Sequence, residues 1–187
     1  MRLVLLGAPG SGKGTQAKLL TEKLHVPHIS TGDLLRAAVT EKTPLGLAAK
    51  EVMDRGELVS DDIVLGMLKE RLQAEDAAEG FILDGFPRNL AQAEMLDALL
   101  DEIGMPVEHA ILIQVDPEEV VARIAKRAEA EGRSDDAEQV VRNRLSIYKE
   151  QTEPVVGHYR RSGVLSEVYG TGSIDEVHER ILSVLRF

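Results

Sequence analysis

The run Gly7-Ala8-Pro9-Gly10-Ser11-Gly12-Lys13-Gly14-Thr15 combines closely spaced glycines with one lysine, between the apolar stretch Leu3-Val4-Leu5-Leu6 and a stretch of helical period. Glycines let consecutive backbone N–H groups curl around an anion, and a helix N-terminus adds partial positive charge. A lysine reaches outer phosphates as a point charge. Strand, glycine loop, lysine and helix in that order are the context of a triphosphate-binding loop. Gly10, Ser11, Gly12, Lys13, Gly14 and Thr15 are its expected anion cradle. One position departs from the general pattern. Gly14 follows Lys13 and the hydroxyl comes one step later, so a divalent cation would rely on Thr15, a carboxylate or water.

Phe81-Ile82-Leu83-Asp84-Gly85-Phe86-Pro87-Arg88 narrows the chemistry. A carboxylate at the end of a buried strand beside the phosphate loop is placed to hold Mg²⁺ through its waters. Gly85 permits a turn, Pro87 stiffens it, and Arg88 offers a planar fork suited to phosphate. At ~5% usage per residue, Asp-Gly-Phe-Pro-Arg arises by chance in roughly one in ten thousand chains of this length.

The composition excludes several other classes. In 187 residues, 22 Lys and Arg against 32 Asp and Glu give a net charge of −10. That argues against a broad basic face for nucleic acid. The three Tyr and three Phe, with no Trp, give no stacking platform for single strands. The absence of cysteine removes disulfides, thiol catalysis and thiolate metal sites. The apolar start is too short for a signal segment, and no stretch approaches the roughly 20 residues of a membrane helix. A cytoplasmic protein without membrane contact is expected. From Arg88 onward there are ten arginines and two lysines, which favours a focused basic cleft over a spread basic surface. Arg142, Arg160, Arg161, Arg180 and Arg186 are expected in surface roles, with i,i+4 pairing to neighbouring glutamates for Arg160 and Arg180. His25 and His28 read as coincidence, and His109, His158 and His178 as surface or cap residues.

These side chains need a scaffold, and its elements follow from periodicity. Strands are expected at Arg2–Leu6, Pro27–Ser30, Phe81–Asp84, Ala110–Val115 and Val164–Tyr169, several of them apolar enough to be covered on both faces. Helices are expected at Lys13–Leu24, Leu90–Ile103, Glu118–Glu131, Asp136–Arg161 and Ile174–Leu185. The alternation indicates an α/β protein with a parallel sheet. Ser30–Val59, with an extra turn at Thr43-Pro44-Leu45-Gly46, reads as a helical excursion from the core. Lys126–Asp136 reads as a polar connection.

Together, 7–15, Ser-Thr-Gly-Asp-Leu-Leu-Arg at 30–36, Gly-Glu-Leu-Val at 56–59, Asp-Gly-Phe-Pro-Arg at 84–88 and Gly-Arg-Ser-Asp-Asp at 132–136 resemble the nucleoside monophosphate kinases. The likeness is greatest to the adenylate kinase family, in which the Gly14 departure is usual. The resemblance implies a P-loop NTPase three-layer sandwich, with a five-stranded parallel sheet in the order 2-3-1-4-5 flanked by helices. It implies one kinase domain over 1–187: a core of 1–29, 60–125 and 137–187, a monophosphate-binding flap at 30–59 and a short lid at 126–136. It further implies Mg²⁺-dependent transfer from ATP to AMP, giving ADP, by a monomer without structural zinc.

The resemblance assigns Lys13, Arg88, Arg123, Arg127, Arg133 and Arg144 to the transferring phosphoryl group. The cradle residues with Arg123, Arg127 and Gly172 would bind ATP. Thr31, Arg36, Glu57, Leu58, Val59, Gly85, Phe86, Pro87, Arg88, Gln92, Arg133 and Arg144 would bind AMP, with Leu35 and Val64 shaping the pocket. Asp84, and Thr15 in second place, would serve the metal. A glutamine amide donates and accepts at once, as an adenine edge requires. A pyrimidine monophosphate kinase shares both signatures, although Thr31 and Gln92 lean toward adenine. A GTPase switch would need Asn-Lys-x-Asp, and neither Asn89 nor Asn143 is followed by lysine. An inactive nucleotide sensor is the third alternative, and it would be expected to have lost Lys13 or an essential arginine.

Overall fold

Alternation of apolar side chains along the strands decides the layering. The computed structural model describes residues 1–42, 44–57, 59–132 and 138–186. Strands β1 (Arg2–Leu6), β2 (His28–Ser30), β3 (Phe81–Asp84), β4 (His109–Gln114) and β5 (Leu165–Tyr169) form a parallel sheet in the order β2-β3-β1-β4-β5. That is the order the family resemblance implies. Leu3 and Leu5 of β1, Ile82 of β3, and Ile111 and Ile113 of β4 pack against Ala17 and Leu20 of α1 (Lys13–Leu24). Val177, Ile181 and Leu185 of α9 (Ile174–Leu185) complete that side. The intervening Val4, Leu6, Phe81, Leu83, Ala110 and Leu112 face the other way. They meet Leu96 and Leu100 of α5 (Leu90–Glu102) and Val155 and Tyr159 of α8 (Glu153–Arg161). Helices therefore cover both faces, the third and first layers of a three-layer sandwich, and both faces of the strands are apolar for that reason. Leu5 and Ser30 both align with Asp84, so three strands end together beneath the site.

Several boundaries differ from the periodicity reading. Helices α2 (Thr31–Thr40) and α3 (Pro44–Asp54) make up the excursion. Its expected turn shifts toward the N-terminus, because Pro44 opens α3, where a missing N–H costs nothing. Gly46 is helical, and the break includes Glu41 and Lys42. Thr43 lies outside the described residues. Helix α4 (Asp61–Leu72) is an element that the periodicity reading omits, although its buried Val64, Leu68 and Leu72 lie at i, i+4 and i+8. Helix α6 (Pro117–Glu131) opens on Pro117 with the Asp116 side chain accepting from Glu118 N–H, and ends at Gly132. Lys126–Glu131 are thus helical rather than connecting, and 133–136 lie outside the described residues.

The expected helix at 136–161 is broken. Helix α7 (Glu138–Ile147) and α8 are joined by one wide turn of π type over Tyr148–Thr152, closed by Glu153 N–H donating to Tyr148 O. Pro154 has no N–H for the carbonyl four residues earlier, which favours that wider turn.

Three surface expectations also change. His158 is not an isolated surface residue. It pairs with Asp97 across α5 and α8 (Nε2 to Oδ2, 2.7 Å). Arg160 reaches Glu167 on β5 at 2.6 Å instead of an i,i+4 partner. Arg180 donates to the carbonyls of Tyr169 and Thr171, where backbone acceptors left open at the strand end outcompete a solvated glutamate. Arg142 does form its i,i+4 pair with Glu138.

Tyr159 is 1% exposed and its hydroxyl has no hydrogen-bond partner among the described residues. Burial pushes its pKa well above the ordinary phenol value. An unpaired buried hydroxyl is costly, so Tyr159→Phe should raise the unfolding free energy by about 1 kcal/mol. Urea denaturation checks this, and a loss of similar size would show that the hydroxyl is satisfied in solution.

Candidate functional site

A cleft of about 640 Å³ lies over the carboxyl ends of the central strands, where open parallel α/β sheets bind ligands. Its floor is the loop between β1 and α1. Gly10 is left-handed at φ 80°, and a Cβ there would stand 2.7 Å from Ile124 of α6. Only glycine lets the loop sit this close to the helix. Val120 and Ile124 of α6 and Val141 of α7 form a small core of their own with Ala8 packed on it, so the loop and these helices are held as one unit. Gly12, Lys13, Gly14 and the exposed Thr15 line the cleft, and Ser11 is buried beneath it.

Lys13 folds back over the loop and donates to Gly7 O (3.0 Å) and Ala8 O (3.2 Å). Burial lowers its pKa to about 8. Asp84 pulls the other way, while Arg88, Arg144 and Arg127 push it further down. The four cations therefore share one field. Burial alone would raise the Asp84 pKa, but the His28 hydrogen bond, Lys13 and Arg88 outweigh it and hold the carboxyl below its ordinary value. His28 Nε2 lies 3.1 Å from Asp84 Oδ2. The reading of His28 as coincidence is thus corrected: it belongs to the site. The sequence carries no local signal for it, because β2 (His28-Ile29-Ser30) comes beside Asp84 only through its pairing with β3.

The Asp84-to-Arg88 turn is tightly tied. Gly85 is left-handed at φ 86°, and a Cβ would press on Thr31 Oγ1 at 3.0 Å. Its carbonyl accepts from Thr31 Oγ1 (3.0 Å) and Arg88 Nε (2.7 Å). Thr152 Oγ1, from the π-type turn, donates to Arg88 O at 2.6 Å. Gln92 is 2% exposed, takes the Arg88 backbone N–H on Oε1 (2.7 Å) and gives Nε2–H to Asp61 Oδ1 (2.7 Å). Thr31, Leu35, Arg36, Glu57, Val59, Val64, Phe86, Arg88 and Gln92 line a second, smaller cavity with Met53. Pro87 borders the larger cleft. Arg36 pairs with Asp33 at 2.5 Å, and Glu57 with Arg55 through both oxygens (3.0 and 3.1 Å).

Arg123 is a strut, donating to Ser11 O (3.2 Å), Gly170 O (2.7 Å) and Glu119 Oε1 (2.5 Å). It spans the loop, α6 and the turn that carries Gly172. Arg127 lines the larger cleft, and Arg144 lines both cavities. Asn143 Nδ2 donates to Arg55 O at 2.5 Å, joining α7 to the segment after α3. Arg133 and Leu58 lie outside the described residues. Met53, Asp61, Tyr148, Thr152 and Gly170 also bear on the site, and the motifs do not pick them out. Asp61 and Thr152 contribute a side-chain hydrogen bond, Gly170 a carbonyl, and Met53 and Tyr148 wall area, each from an element whose neighbours the sequence does not display.

The Lys13 environment has a thermodynamic signature. With a pKa of about 8, the ammonium is partly deprotonated at pH 8, and the charge of a bound phosphate raises its pKa. A triphosphate should therefore bind with uptake of up to about half a proton at pH 8 and almost none at pH 6. Calorimetry in buffers of different ionisation enthalpy reads this, and equal uptake at both pH values would contradict it.

Known proteins share this arrangement over most of the chain. Residues 5–164 match the family model for adenylate kinase. The adenylate kinase of Xanthomonas euvesicatoria pv. vesicatoria (strain 85-10) is 60% identical over 185 residues, covering 99% of each chain. That of Xanthomonas campestris pv. campestris (strain 8004) is 60% identical over 181 residues, 97% of each. That of Xylella fastidiosa (strain 9a5c) is 55% identical over 185 residues, 99% of each. With the loop, the Asp84 turn and the sheet order already in place, these matches show that the chain belongs to the adenylate kinase family and is a phosphotransferase.

Proposed function

We propose that the chain catalyses the reversible Mg²⁺-dependent reaction ATP + AMP = 2 ADP, in adenine nucleotide homeostasis and salvage. One observation carries the reading: a large cleft on the phosphate loop and a smaller cavity walled by Gln92 share Arg88 and Arg144. Two anionic ligands bound there would meet at those guanidiniums. The acceptor oxygen of a monophosphate is already anionic at pH 7, so no general base is needed. Catalysis is positioning plus charge stabilisation of an in-line transfer. Lys13, Arg88, Arg123, Arg127, Arg133 and Arg144 surround the moving group, and Arg123 also presents a planar face to the donor base beside Gly172.

On the acceptor side Thr31, Arg36, Gly85, Phe86, Pro87 and Arg88 hold the monophosphate nucleotide, while Glu57, Val59 and Gln92 line the base pocket, to which the family resemblance also assigns Leu58. Arg36 exchanges its exposed Asp33 partner for phosphate. The flap at 30–59 and the lid at 126–136 close over the two nucleotides and exclude water, which would otherwise compete as acceptor.

Asp84 fits a Mg²⁺ site. It is 9% exposed, and its carboxyl is held below its ordinary pKa. No group of three or more metal-ligating side chains occurs among the described residues, in keeping with Mg²⁺ held by one carboxylate, phosphates and water, with Thr15 as the second candidate. With Asp84 holding it through water, Mg²⁺ would supply positive charge against the donor phosphates. No helix among the described residues is long and apolar enough to cross a membrane. The family resemblance carries the reading of a monomer acting on nucleotides in the cytoplasm, and the net charge of −10 disfavours nucleic acid as a partner.

A coupled assay for diphosphate formation, with ATP, Mg²⁺ and AMP, CMP, UMP or GMP in parallel, tests the proposal. AMP should be strongly preferred, turnover should vanish without Mg²⁺, and ATP should hydrolyse little when no acceptor is present. Preference for CMP or UMP would instead point to a pyrimidine monophosphate kinase. Arg88→Ala should lose roughly 3–4 kcal/mol of transition-state stabilisation, and near-normal turnover in that variant would remove Arg88 from the mechanism.

A further inference from the structure

The Gln92 amide is held at both ends before any nucleotide arrives. Oε1 accepts the Arg88 backbone N–H at 2.7 Å, and Nε2 donates to Asp61 Oδ1 at 2.7 Å. A flipped amide would set N–H against N–H at Arg88 and oxygen against carboxylate at Asp61, so the two contacts select one orientation. One N–H and one lone pair of the amide remain for a ligand. Asp61 lies outside the cavity wall that Gln92 forms, and the first turn of α4 carries it.

From this we infer that Asp61 is a positioning residue that sets the purine specificity of the acceptor site by locking the Gln92 amide; the inference rests on reading the smaller cavity as the AMP site. Adenine offers an acceptor at N1 beside a donor at N6. Hypoxanthine offers the reverse, a donor at N1 beside an acceptor at O6. An amide of fixed orientation meets one of these edges with donor to acceptor at both atoms, and the other edge with both contacts mismatched. Removing Asp61 leaves the Arg88 N–H as the sole tie, and the amide then has a second orientation within reach. Discrimination between the two edges falls, and AMP meets an amide that must first be ordered.

Steady-state kinetics with AMP and IMP as acceptors, on the wild-type chain and on Asp61→Ala, Asp61→Leu and Asp61→Asn, test this. Asp61→Ala should raise KM for AMP about tenfold and lower the AMP-over-IMP ratio of kcat/KM by a similar factor. The KM for ATP and the kcat with AMP should stay within about twofold. Asp61→Leu fills the site without an acceptor and takes the place of Asp61→Ala should that variant not fold. Asp61→Asn meets either orientation of the Gln92 amide, with its oxygen or its NH2, so it keeps a tie between α4 and α5 but should lower the ratio as Asp61→Ala does. A purely structural tie between α4 and α5 would move the melting temperature and leave the AMP-over-IMP ratio alone. An unchanged ratio in Asp61→Ala, Asp61→Leu or Asp61→Asn overturns the inference. A wild-type chain without preference for AMP over IMP overturns the acceptor reading and the inference with it.

Discussion

Positive charge gathered at one point is the constraint on which the structure depends. Lys13, Arg88, Arg127 and Arg144 share a field strong enough to act on the Lys13 ammonium, and Asp84 is the carboxylate set against them. Like charges brought together repel, and burial worsens the penalty. Such a cluster persists only where a rigid frame holds it. The frame is the end of a two-faced apolar sheet: Leu5 in register with Asp84, Leu6 beside the loop, and α6 pressed onto Gly10. The net charge of −10 places acidic surface around this one basic interior. The cluster is therefore poised for polyanions of small size and repels extended ones.

The sequence displays the features that repeat along the chain or recur at fixed spacing. The phosphate loop, the Asp84 turn, the five strands and the helices packed beside them have periods or motifs that local sterics enforce. The sheet order has no local signal and came from family resemblance alone. Features that depend on a distant partner were not legible. His28 looks like half of a chance pair until β2 is known to lie against β3. The break at Tyr148–Thr152 falls in the polar run Lys149-Glu150-Gln151-Thr152-Glu153, where no apolar period marks a change, and only Pro154 hints at it. Helix α4 passed unread because Ile63, Leu65 and Met67 surround its buried Val64, Leu68 and Leu72 and blur the helical stripe.

Within the site, residue types were legible and their present partners were not. Gln92 suggests a base reader from its chemistry, but its engagement by Arg88 and Asp61 is a fact of tertiary packing. Arg123 suggests a phosphate ligand, and it also braces three elements through their carbonyls and Glu119. Both side chains are held by contacts within the protein. A rigid amide or guanidinium costs less ordering entropy on binding than a free one.

The bond from Asn143 to the carbonyl of Arg55 has a thermodynamic consequence. It ties α7, which carries Arg144, to the end of the segment that walls the smaller cavity. Motion on either side of that seam must break or carry the bond, so the two nucleotide-facing elements share an equilibrium. Linkage then makes the effect reciprocal: whatever one occupant contributes to the affinity of the other, it receives back in equal measure.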